Sequence, residues 1–410
     1  MKILFISQYC YPEPDFKILY FAKELKKRGH VIQILTGYPN YPIGKVHSGY
    51  KNIWVTAEII DGIKVIRVPL FAYHGSSKLK RILNYFSFAF SSIFLGFFKL
   101  TKSDIIYAYH SPATIAIPAI FYKFIFKSKI IYDINDFWPD TLFSTGMVKN
   151  KNILRLVSLF CKLSYNFFDH INVVSIGFKK RLIEEGVDEK KISLIYNWPP
   201  PIKFDIGDTY NKYKNHFDGY FTILYAGNIG KAQCLETIID AAKEIQLYSN
   251  ELQIKFIIIG SGNEKIIIEE LIVSSQLKNV ILIDTVPVNE IGPFLDKADS
   301  LILHLKKDKL FEITIPSKLF AYMSMGKPIL SGVDGETNEI ILNSNSGYIF
   351  NSCDVSDLVK SIKTLQNLNN QQLNQLGNNA KLYFNEHFSF ETGVNYFEDL
   401  FKKNGKQIIL

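Results

Sequence analysis

The chain has 410 residues, 47% hydrophobic and 14% aromatic, which is too long for one compact core and predicts two domains. Its four cysteines lie far apart, which excludes disulfide-rich and zinc-finger proteins and fits a reducing compartment. Residues 1–203 contain 28 lysines and arginines against 14 acidic residues, net +14, whereas residues 204–410 contain 19 against 25, net −6. Because no nucleic-acid-binding motif accompanies the basic half, we expect no nucleic acid partner and favour an anionic membrane surface.

Residues 1–200 alternate predicted strands and helices. The strands are predicted at residues 2–7, 31–36, 104–109, 129–134, 171–174 and 192–196, with a strand pair at 53–58 and 63–68 and helices at 16–28 and 176–185. The first apolar run is short and has no cleavage site, so it predicts a strand and not a signal peptide. This order is typical of a doubly wound parallel sheet, which binds ligands at the carboxyl ends of its strands.

Polar and aromatic loops follow several of these strands. Because the carboxyl ends of parallel strands meet at one sheet edge, we expect the loop side chains to converge there. The candidates, in chain order, are Tyr9, Pro14, Asn40, His110, Asn135 and Asp136. For the last three, a catalytic role and a helix-capping role both fit the local sequence.

Residues 82–98 form a run of 17 residues without a charge, flanked by lysines and Arg81. As a helix this run would span about 25 Å, short of the ~30 Å hydrocarbon core of a bilayer. Asn84, Ser87 and Ser91 fall on one helical stripe, and four phenylalanines fall on another. A buried domain helix and a helix that enters the membrane interface both fit this pattern, and the basic flanks favour membrane contact.

The second half begins after a predicted linker at residues 201–219, which is polar and follows a run of prolines. Strands at 220–226, 253–259, 280–284, 300–305 and 328–331 predict a second parallel sheet, and residues 354–403 are predicted to be helical. Glycine turns at residues 227–230 and 260–262 resemble phosphate cradles, but neither completes a dinucleotide-binding fingerprint.

A helix is predicted to begin at Pro316 and Ser317 and to end at Gly326. The backbone N–H groups at its start point toward the carboxyl edge of the second sheet. Lys318 lies in the first turn, where a cation opposes the helix dipole. An anionic ligand would explain this position, and an ordinary surface lysine is the alternative.

The motifs together resemble one known family from end to end. They are the QYCYPEPDF loop, TGYPNYP, HSP, NDFWPDTLFSTG, VVSIGFKKRLIEEGV, IYNWP, YAGNIGKAQCLETIIDAA, IIIGSGNEK and PSKLFAYMSMGKPIL followed by GE. The chain is similar to family 4 glycosyltransferases of the GT-B fold, a retaining group that builds bacterial surface polysaccharides. The PSK, MGKP and FWPD elements resemble a subset that includes O-antigen and capsule enzymes such as L-fucosamine (6-deoxy amino sugar) transferases.

The resemblance implies an α/β fold of two doubly wound, Rossmann-like parallel-sheet domains that face an interdomain cleft. The implied division is an acceptor-binding, membrane-associated domain at residues 1–200, the linker at 201–219 and a nucleotide-sugar-binding domain at 220–385. A C-terminal helix at 386–410 is expected to pack back on the N-terminal domain.

The resemblance also implies a donor site in the C-terminal domain. The diphosphate is expected at the first glycine turn and at Ser317 and Lys318. The family's arginine and lysine after the first glycine correspond to Asn228 and Gln233, so Lys231 is expected to supply charge. A family glutamate that binds the ribose corresponds to Ala321, and other glutamates are expected to replace it. The remaining implied donor-site residues are Gly227, Gly230, Gly260, Gly262, Glu312, Glu336 and Glu339.

The implied reaction moves a sugar, such as N-acetyl-L-fucosamine, from a nucleoside diphosphate, usually uridine diphosphate, to a polyprenyl-diphosphate-linked acceptor. No clear carboxylate nucleophile is present, which fits front-face substitution with retention. The family's catalytic-site histidine corresponds to Asn135, and Asp136 or His110 would orient the acceptor. Because the chain has no Asp-x-Asp sequence, we expect no cofactor and no obligatory metal, although Glu13-Pro14-Asp15 resembles such a motif.

Membrane-linked substrates imply a cytoplasmic protein held peripherally on the inner face of the plasma membrane. Two other functions stay open. A nucleotide-sugar epimerase shares the two-domain architecture but needs no acceptor. A non-catalytic membrane-bound binding protein is suggested by the replaced glutamate and histidine.

Overall fold

A computed structural model describes residues 1–14, 17–75, 77–144, 146–199, 201–248 and 253–405. The chain divides into two compact units. Unit 1 contains Met1–Pro200 and Glu391–Leu410, and unit 2 contains Pro201–Phe390. Each unit is built on a mostly parallel sheet with helices between the strands, so the predicted pair of doubly wound α/β domains is confirmed.

The sheet of unit 1 has eight strands in the described residues, ordered β3-β4-β2-β1-β5-β6-β7-β8. The strands are β1 (Lys2–Ile6), β2 (Val31–Gly37), β3 (Thr56–Ile60), β4 (Ile63–Val68), β5 (Ile105–His110), β6 (Lys129–Ile134), β7 (His170–Val173) and β8 (Ile192–Leu194). Neighbouring strands are parallel except β3 and β4, which are antiparallel. The central strands are buried almost throughout, as expected where helices cover both faces.

Six α-helices of unit 1 occur in the described part of the first 200 residues. They are α1 (Lys17–Lys27), α2 (Lys78–Phe94), α3 (Ala116–Phe126), α4 (Asp140–Ser144), α5 (Lys151–Tyr165) and α6 (Ile176–Glu184). Short 3-10 helices occur at Gly96–Phe98, Ala113–Ile115 and Glu189–Lys191. The start of α5 is fixed by Asn150, whose side chain accepts hydrogen bonds from the N–H groups of Asn152 and Ile153.

Unit 2 contains a six-stranded parallel sheet in the order β11-β10-β9-β12-β13-β14 within the described residues. The strands are β9 (Phe221–Ala226), β10 (Ile254–Ile259), β11 (Val280–Ile283), β12 (Ser300–His304), β13 (Ile329–Gly332) and β14 (Gly347–Ile349). The helices are α7 (Asp208–Tyr213), α8 (Glu236–Gln246), α9 (Lys265–Ser274), α10 (Gly292–Lys297), α11 (Lys309–Glu312), α12 (Ser317–Met325), α13 (Glu336–Ser344), α14 (Val355–Gln366) and α15 (Asn370–His387).

The segment 201–219, predicted to be a linker, is instead partly helical and belongs to unit 2. It contains α7 and the 3-10 helix Lys214–Phe217. Aromatic packing explains the difference, because the rings of Tyr210 and Phe217 lie 5.2 and 6.4 Å from the ring of Phe294 in α10. This packing is nonlocal, so the polar composition of the segment did not reveal it.

The last helix, α16 (Phe390–Asn404), returns to unit 1 and packs on α1. The ring of Phe397 lies 5.4 Å from that of Phe21 and 5.6 Å from that of Trp198. Glu398 accepts a hydrogen bond from Arg28 at 2.9 Å. The final helix therefore covers one face of the first sheet. Residues 406–410 of the predicted C-terminal helix lie outside the described residues.

Candidate functional site

A pocket of about 540 Å³ opens at the carboxyl edge of the sheet in unit 2. Its walls include the turn after β9, the turn after β10 and the first turns of α12. Five of the predicted donor-site residues line it, namely Gly227, Asn228, Gly260, Ser317 and Lys318. The sequence prediction that distant loops meet at one edge therefore agrees with the structure for these five.

The two glycine turns are packed backbone against backbone. The Gly227 N–H donates to the Ile259 carbonyl at 2.9 Å, and the Ile229 N–H donates to the Ser261 carbonyl at 2.8 Å. A Cβ atom added to Gly260 would lie 1.9 Å from the Gly227 carbonyl oxygen, so no other residue fits there without moving a turn. The glycines thus allow the close approach of two turns on the pocket wall.

Lys318 is the charged side chain on the pocket wall. Its Nζ lies 3.8 Å from the centre of the Tyr225 ring and donates a hydrogen bond to the Tyr225 hydroxyl. Burial lowers the pKa of Lys318 to about 7. An anion in the pocket would restore the charged form, because a nearby opposite charge favours the ammonium. The start of α12 offers backbone N–H groups, and Lys318 beside them becomes charged when an anion binds. Together these features suit a phosphate group.

A further, mostly apolar part of the pocket wall was not predicted from the sequence. It is formed by the loop after β11 and by α10. The sequence feature that could have revealed it is the position of this loop directly after a predicted parallel strand. Such a wall can receive the flat face of a nucleobase. Its residues are Thr285, Val286, Val288, Ile291 and Leu295.

Asn228 and Gln233 form a polar pair at the first glycine turn. The Asn228 side-chain amide donates to Gln233 Oε1 at 3.0 Å, and a ring nitrogen of His304 lies 2.9 Å from the Gln233 carbonyl oxygen. These bonds fix the turn that carries Gly230, and Lys231 extends from it into solvent. Asn228 lines the pocket and Gln233 holds Asn228 in place. A role of Lys231 in charge compensation stays a prediction.

The candidate glutamates and Gly262 lie outside the set of residues that line this pocket. Glu312 ends α11, and its carbonyl oxygen would lie 2.0 Å from a Cβ placed on Gly335. Glu336 begins α13 and is buried, whereas Glu339 is exposed. Gly262 packs against the Ile229 carbonyl and so belongs to the turn contact described above. Ribose binding by these glutamates stays a prediction.

A second pocket, of about 370 Å³, lies at the carboxyl edge of the sheet in unit 1. It is largely aromatic, and the rings of Tyr9, Tyr41 and His74 lie within 5.0–5.7 Å of one another. Burial raises the pKa of Tyr9, and burial next to Arg81 lowers the pKa of His74 to about 4. The residues that line the pocket are Tyr9, Tyr41, His74, Arg81, Tyr85, Tyr109, Ser111, Asn135 and Asp136.

Asp136 and Asn135 stand together on the wall of the second pocket. Burial raises the pKa of Asp136, and a hydrogen bond from the Ser111 side chain partly offsets this. The Asn135 N–H donates to the His110 carbonyl at 3.1 Å, and its side-chain amide donates to the Asp133 carbonyl at 3.3 Å. A carboxylate on the wall of an aromatic pocket can orient a sugar hydroxyl. Two of the three predicted catalytic residues are therefore brought to one cavity.

His110 lies behind this pocket and not on its wall. It is buried, stacks on Tyr132 at 5.5 Å and meets Trp138 at 6.0 Å. Burial lowers the pKa of His110 to about 3, so the ring is neutral at physiological pH. Its catalytic role stays a prediction.

Glu13 holds the loops of the second pocket together, a role that the sequence did not reveal. Its Oε1 accepts hydrogen bonds from the Asn40 and Tyr41 N–H groups at 2.8 and 2.9 Å, and its Oε2 accepts one from Cys10 at 3.0 Å. Asn40 is buried and Pro14 is exposed, and neither lines the pocket. Asp15, the other acidic residue of the possible metal-binding motif, lies outside the described residues.

The residues that the structure describes contain no group of three or more histidine, cysteine, aspartate or glutamate side chains arranged to hold a metal.

Among the same residues, Lys78–Phe98 is the one helical segment long and apolar enough to cross a membrane by length and composition. Its polar side faces inward, since the Asn84 side chain accepts a hydrogen bond from Gln8 at 2.6 Å. Phe86, Phe90, Phe94 and Phe97 are exposed.

Comparison with protein families gives two matches that follow one another along the chain. Residues 18–198 match the family described as Glycosyltransferase Family 4, and residues 208–383 match the family described as Glycosyl transferases group 1. The second match contains every residue that lines the pocket of unit 2, and the first contains most of the residues that line the pocket of unit 1.

Two relatives are similar over most of their length. The putative colanic acid biosynthesis glycosyl transferase WcaI of Escherichia coli is 26% identical over 314 residues, which is 74% of this chain and 75% of that protein. An uncharacterized glycosyltransferase of Methanocaldococcus jannaschii is 21% identical over 344 residues, 84% of this chain and 85% of that protein.

Solved structures with a similar fold cover nearly the whole chain. Anabaena HepE in complex with UDP has a TM-score of 0.68 at 14% identity, covering 98% of this chain and 100% of that one. WaaG, a glycosyltransferase involved in lipopolysaccharide biosynthesis, has a TM-score of 0.60 at 12% identity, covering 97% and 99%. At these identities the likeness concerns the fold alone.

Proposed function

Since the chain is a glycosyltransferase of the GT-B fold, with a family 4 and a group 1 glycosyltransferase domain, we propose that it transfers a sugar from a uridine diphosphate sugar to a lipid-linked oligosaccharide. The transfer retains the anomeric configuration. It serves the synthesis of a bacterial surface polysaccharide such as O-antigen or capsule, and the sugar is a 6-deoxy amino sugar such as N-acetyl-L-fucosamine. The named relatives support the pathway class, since WcaI is a putative colanic acid enzyme and WaaG acts in lipopolysaccharide biosynthesis.

The observation that carries the donor proposal is the pocket of unit 2. Lys318, the N-terminus of α12 and two glycine turns line the pocket together with a mostly apolar stretch from the loop after β11 and from α10. Phosphate groups suit the first set of features and a nucleobase suits the second. The presence of UDP in the similar HepE structure supports uridine as the base.

The proposed reaction needs a group that stabilises the departing diphosphate and a group that orients the acceptor hydroxyl. The bond between the anomeric carbon and the diphosphate oxygen breaks, and the acceptor oxygen forms the new bond on the same face of the sugar. The acceptor proton passes to the departing diphosphate. Lys318 and the helix N-terminus stabilise the negative charge that grows on that group. Asp136 accepts a hydrogen bond from the acceptor hydroxyl and orients it for attack.

The acceptor proposal rests on the pocket of unit 1. Its aromatic walls suit the apolar faces of a sugar, and Arg81 offers a charge for an anionic group. Because α2 carries Arg81 at its start and exposed phenylalanines along its length, we propose that the acceptor is a polyprenyl-diphosphate-linked sugar. The enzyme would act on the cytoplasmic face of the plasma membrane, held there peripherally by anionic lipids.

The experiment is a measurement of nucleotide release from a panel of UDP-, GDP- and dTDP-sugars, with and without a membrane extract that contains lipid-linked acceptor. Wild-type protein and the Lys318→Ala variant are compared. Release that requires one donor and the lipid fraction, and that collapses in the variant, supports the proposal. Conversion of the donor without acceptor would indicate an epimerase. Nucleotide binding without turnover would indicate a non-catalytic binding protein, a function that Ala321 on the pocket wall favours.

A further inference from the structure

Three neighbouring helices of unit 1 share an unusual charge composition. Helices α2, α3 and α5, of 17, 11 and 15 residues, contain three, one and three lysines or arginines and no acidic residue. Helix α9 of unit 2 is a useful contrast, because it also exposes apolar residues but contains Glu269 and Glu270. The missing carboxylates therefore distinguish these three helices from α9.

Helix α3 contacts α2 and the segment that directly follows α5. The Tyr122 hydroxyl of α3 donates to the Ser92 carbonyl of α2 at 2.6 Å. On the other side of α3, Lys123 Nζ donates to the carbonyl of Phe167 at 2.6 Å, two residues beyond the end of α5. The rings of Phe124 and Phe167 lie 6.2 Å apart. These contacts connect the three helices in one part of unit 1.

Large apolar side chains are exposed on these helices. In α5 they recur at helical spacing, and Leu156 and Leu163 are 66% and 53% exposed. The same helix places Arg155 and Lys162, both exposed, beside the leucines. Exposed apolar area edged with basic residues is costly in water and suits the interface of an anionic bilayer. The exposed apolar residues of the three helices and of the segments that directly follow α2 and α5 are Leu79, Leu83, Phe86, Phe90, Phe94, Phe97, Phe98, Phe124, Ile125, Ile153, Leu156, Leu159, Leu163 and Phe167.

We propose that α2, the end of α3 and α5 together form one docking face for an anionic lipid bilayer, with the leucine stripe of α5 as a second insertion element beside α2. The apolar side chains enter the interface, and the lysines and arginines contact lipid phosphates. Helix α2 also lines the aromatic pocket through Arg81 and Tyr85. The pocket therefore lies at the edge of the docking face, where the headgroup of a membrane-linked substrate would be found.

This inference deepens the proposed function and rests on it for its purpose, but vesicle binding itself needs neither donor nor acceptor. The test is co-sedimentation of the full chain with vesicles of phosphatidylcholine, pure or with phosphatidylglycerol. We expect binding that requires phosphatidylglycerol and weakens with salt. Leu156→Glu/Leu163→Glu should weaken binding at least about tenfold, since it places two charges in the apolar interface. A failed sugar-transfer assay with intact vesicle binding would leave this inference standing.

Matched variants separate the docking face from general effects of charge. Leu83→Glu/Phe90→Glu changes α2 at the same seven-residue spacing and should have a similar effect. Ile266→Glu/Val273→Glu in α9, at positions that are 67% and 75% exposed, should bind vesicles like the wild type. The milder variant Arg155→Gln/Lys162→Gln removes two positive charges and keeps the leucines. It should reduce binding to vesicles that contain phosphatidylglycerol. Thermal unfolding verifies that each variant is folded.

Two results would overturn the inference. In one, the α5 variants bind vesicles as well as the wild type does while the α2 variant does not, which would restrict docking to α2. In the other, the wild type ignores vesicles and forms a dimer that Leu156→Glu/Leu163→Glu dissociates in light scattering, which would make the face a contact between protein copies.

Discussion

The ammonium of Lys318 lies 3.8 Å from the centre of the Tyr225 ring, at the start of α12 and against the backbone of Gly227. A Cβ on Gly227 would lie 2.6 Å from Lys318 Cε, so the glycine makes room for the lysine. Burial lowers the pKa of Lys318 to about 7. The same burial that disfavours the charged form of Lys318 strengthens the attraction between that charge and a bound anion.

The first prediction concerns proton uptake by Lys318. With a pKa of about 7, about a tenth of the side chain is charged at pH 8, and binding of a diphosphate should draw the proton back. UDP binding at pH 8 should therefore take up nearly one proton, and the affinity should rise about fivefold from pH 8 to pH 7. Titration calorimetry in two buffers of different ionisation enthalpy measures the uptake.

Two variants check this prediction. Lys318→Met should abolish proton uptake and weaken UDP binding at least about tenfold, because the ammonium contact is lost. Lys231→Met removes a lysine that is exposed at the neighbouring turn and should leave the uptake unchanged. Equal proton uptake in the wild type and in Lys318→Met would show that Lys318 is not the titrating group.

The second prediction concerns Asp136 and the serine that bonds to it. Asp136→Asn should lower kcat about 100-fold, since the amide orients the acceptor less well and carries no charge, while UDP binding in unit 2 stays unchanged. Burial raises the pKa of Asp136 and the Ser111 hydrogen bond lowers it. Activity requires the ionised carboxylate of Asp136, so activity should be lost as the pH falls through this pKa.

Ser111→Ala tests the pH part of this prediction. Without the serine hydrogen bond the pKa of Asp136 should rise, so the acid limb of the kcat profile should move to higher pH. At a pH well above that limb, the variant should keep most of its activity. A profile that keeps its acid limb in Ser111→Ala would mean that Asp136 does not control it.

The third prediction concerns Glu13, whose carboxylate accepts hydrogen bonds from Cys10, Asn40 and Tyr41. Glu13→Gln replaces an acceptor oxygen by a donor and leaves a buried N–H group without a partner. The free energy of unfolding should fall by about 1–3 kcal/mol, measured by urea denaturation. Glu24→Gln, which alters a partly exposed pair with Arg28, should cost less than about 1 kcal/mol.

Much of the fold was predictable because parallel strands between covering helices are continuous apolar runs. The strands at 63–68 and 129–134 were predicted with the boundaries that the structure has, and the other predicted strands within a few residues, whereas β14 was not predicted. Lys318 and the glycine turns could be identified because their chemistry is local: a cation in a first helical turn, and small residues after a strand.

Contacts between distant residues were not predictable. Nothing near Glu13 in the sequence indicates that its carboxylate joins the loop after β1 to the loop after β2. Helix α5 was missed as an element, and its leucines become informative only once α3 is known to lie beside it. Likewise, the burial of His110 depends on Tyr132 and Trp138, which two other chain segments supply.

The fourth prediction concerns Glu398, which joins α16 to α1. Burial opposes its ionisation, but hydrogen bonds from Lys402, Arg28 and His30 outweigh burial and lower the pKa of Glu398 to about 2. Because the folded-state pKa lies below the unfolded one, this carboxylate stabilises the fold above about pH 4.5, and the contribution is lost as the pH falls toward 2. Glu398→Gln should lower the free energy of unfolding by about 1–3 kcal/mol at pH 7 and flatten its decline on acidification. Urea denaturation between pH 7 and pH 3 measures both effects, with Glu391→Gln as an exposed control in the same helix. If the two variants unfolded alike at every pH, the ion pair with Arg28 would contribute nothing to the docking of α16, which would then depend on other contacts, such as those of Phe397 with Phe21 and Trp198.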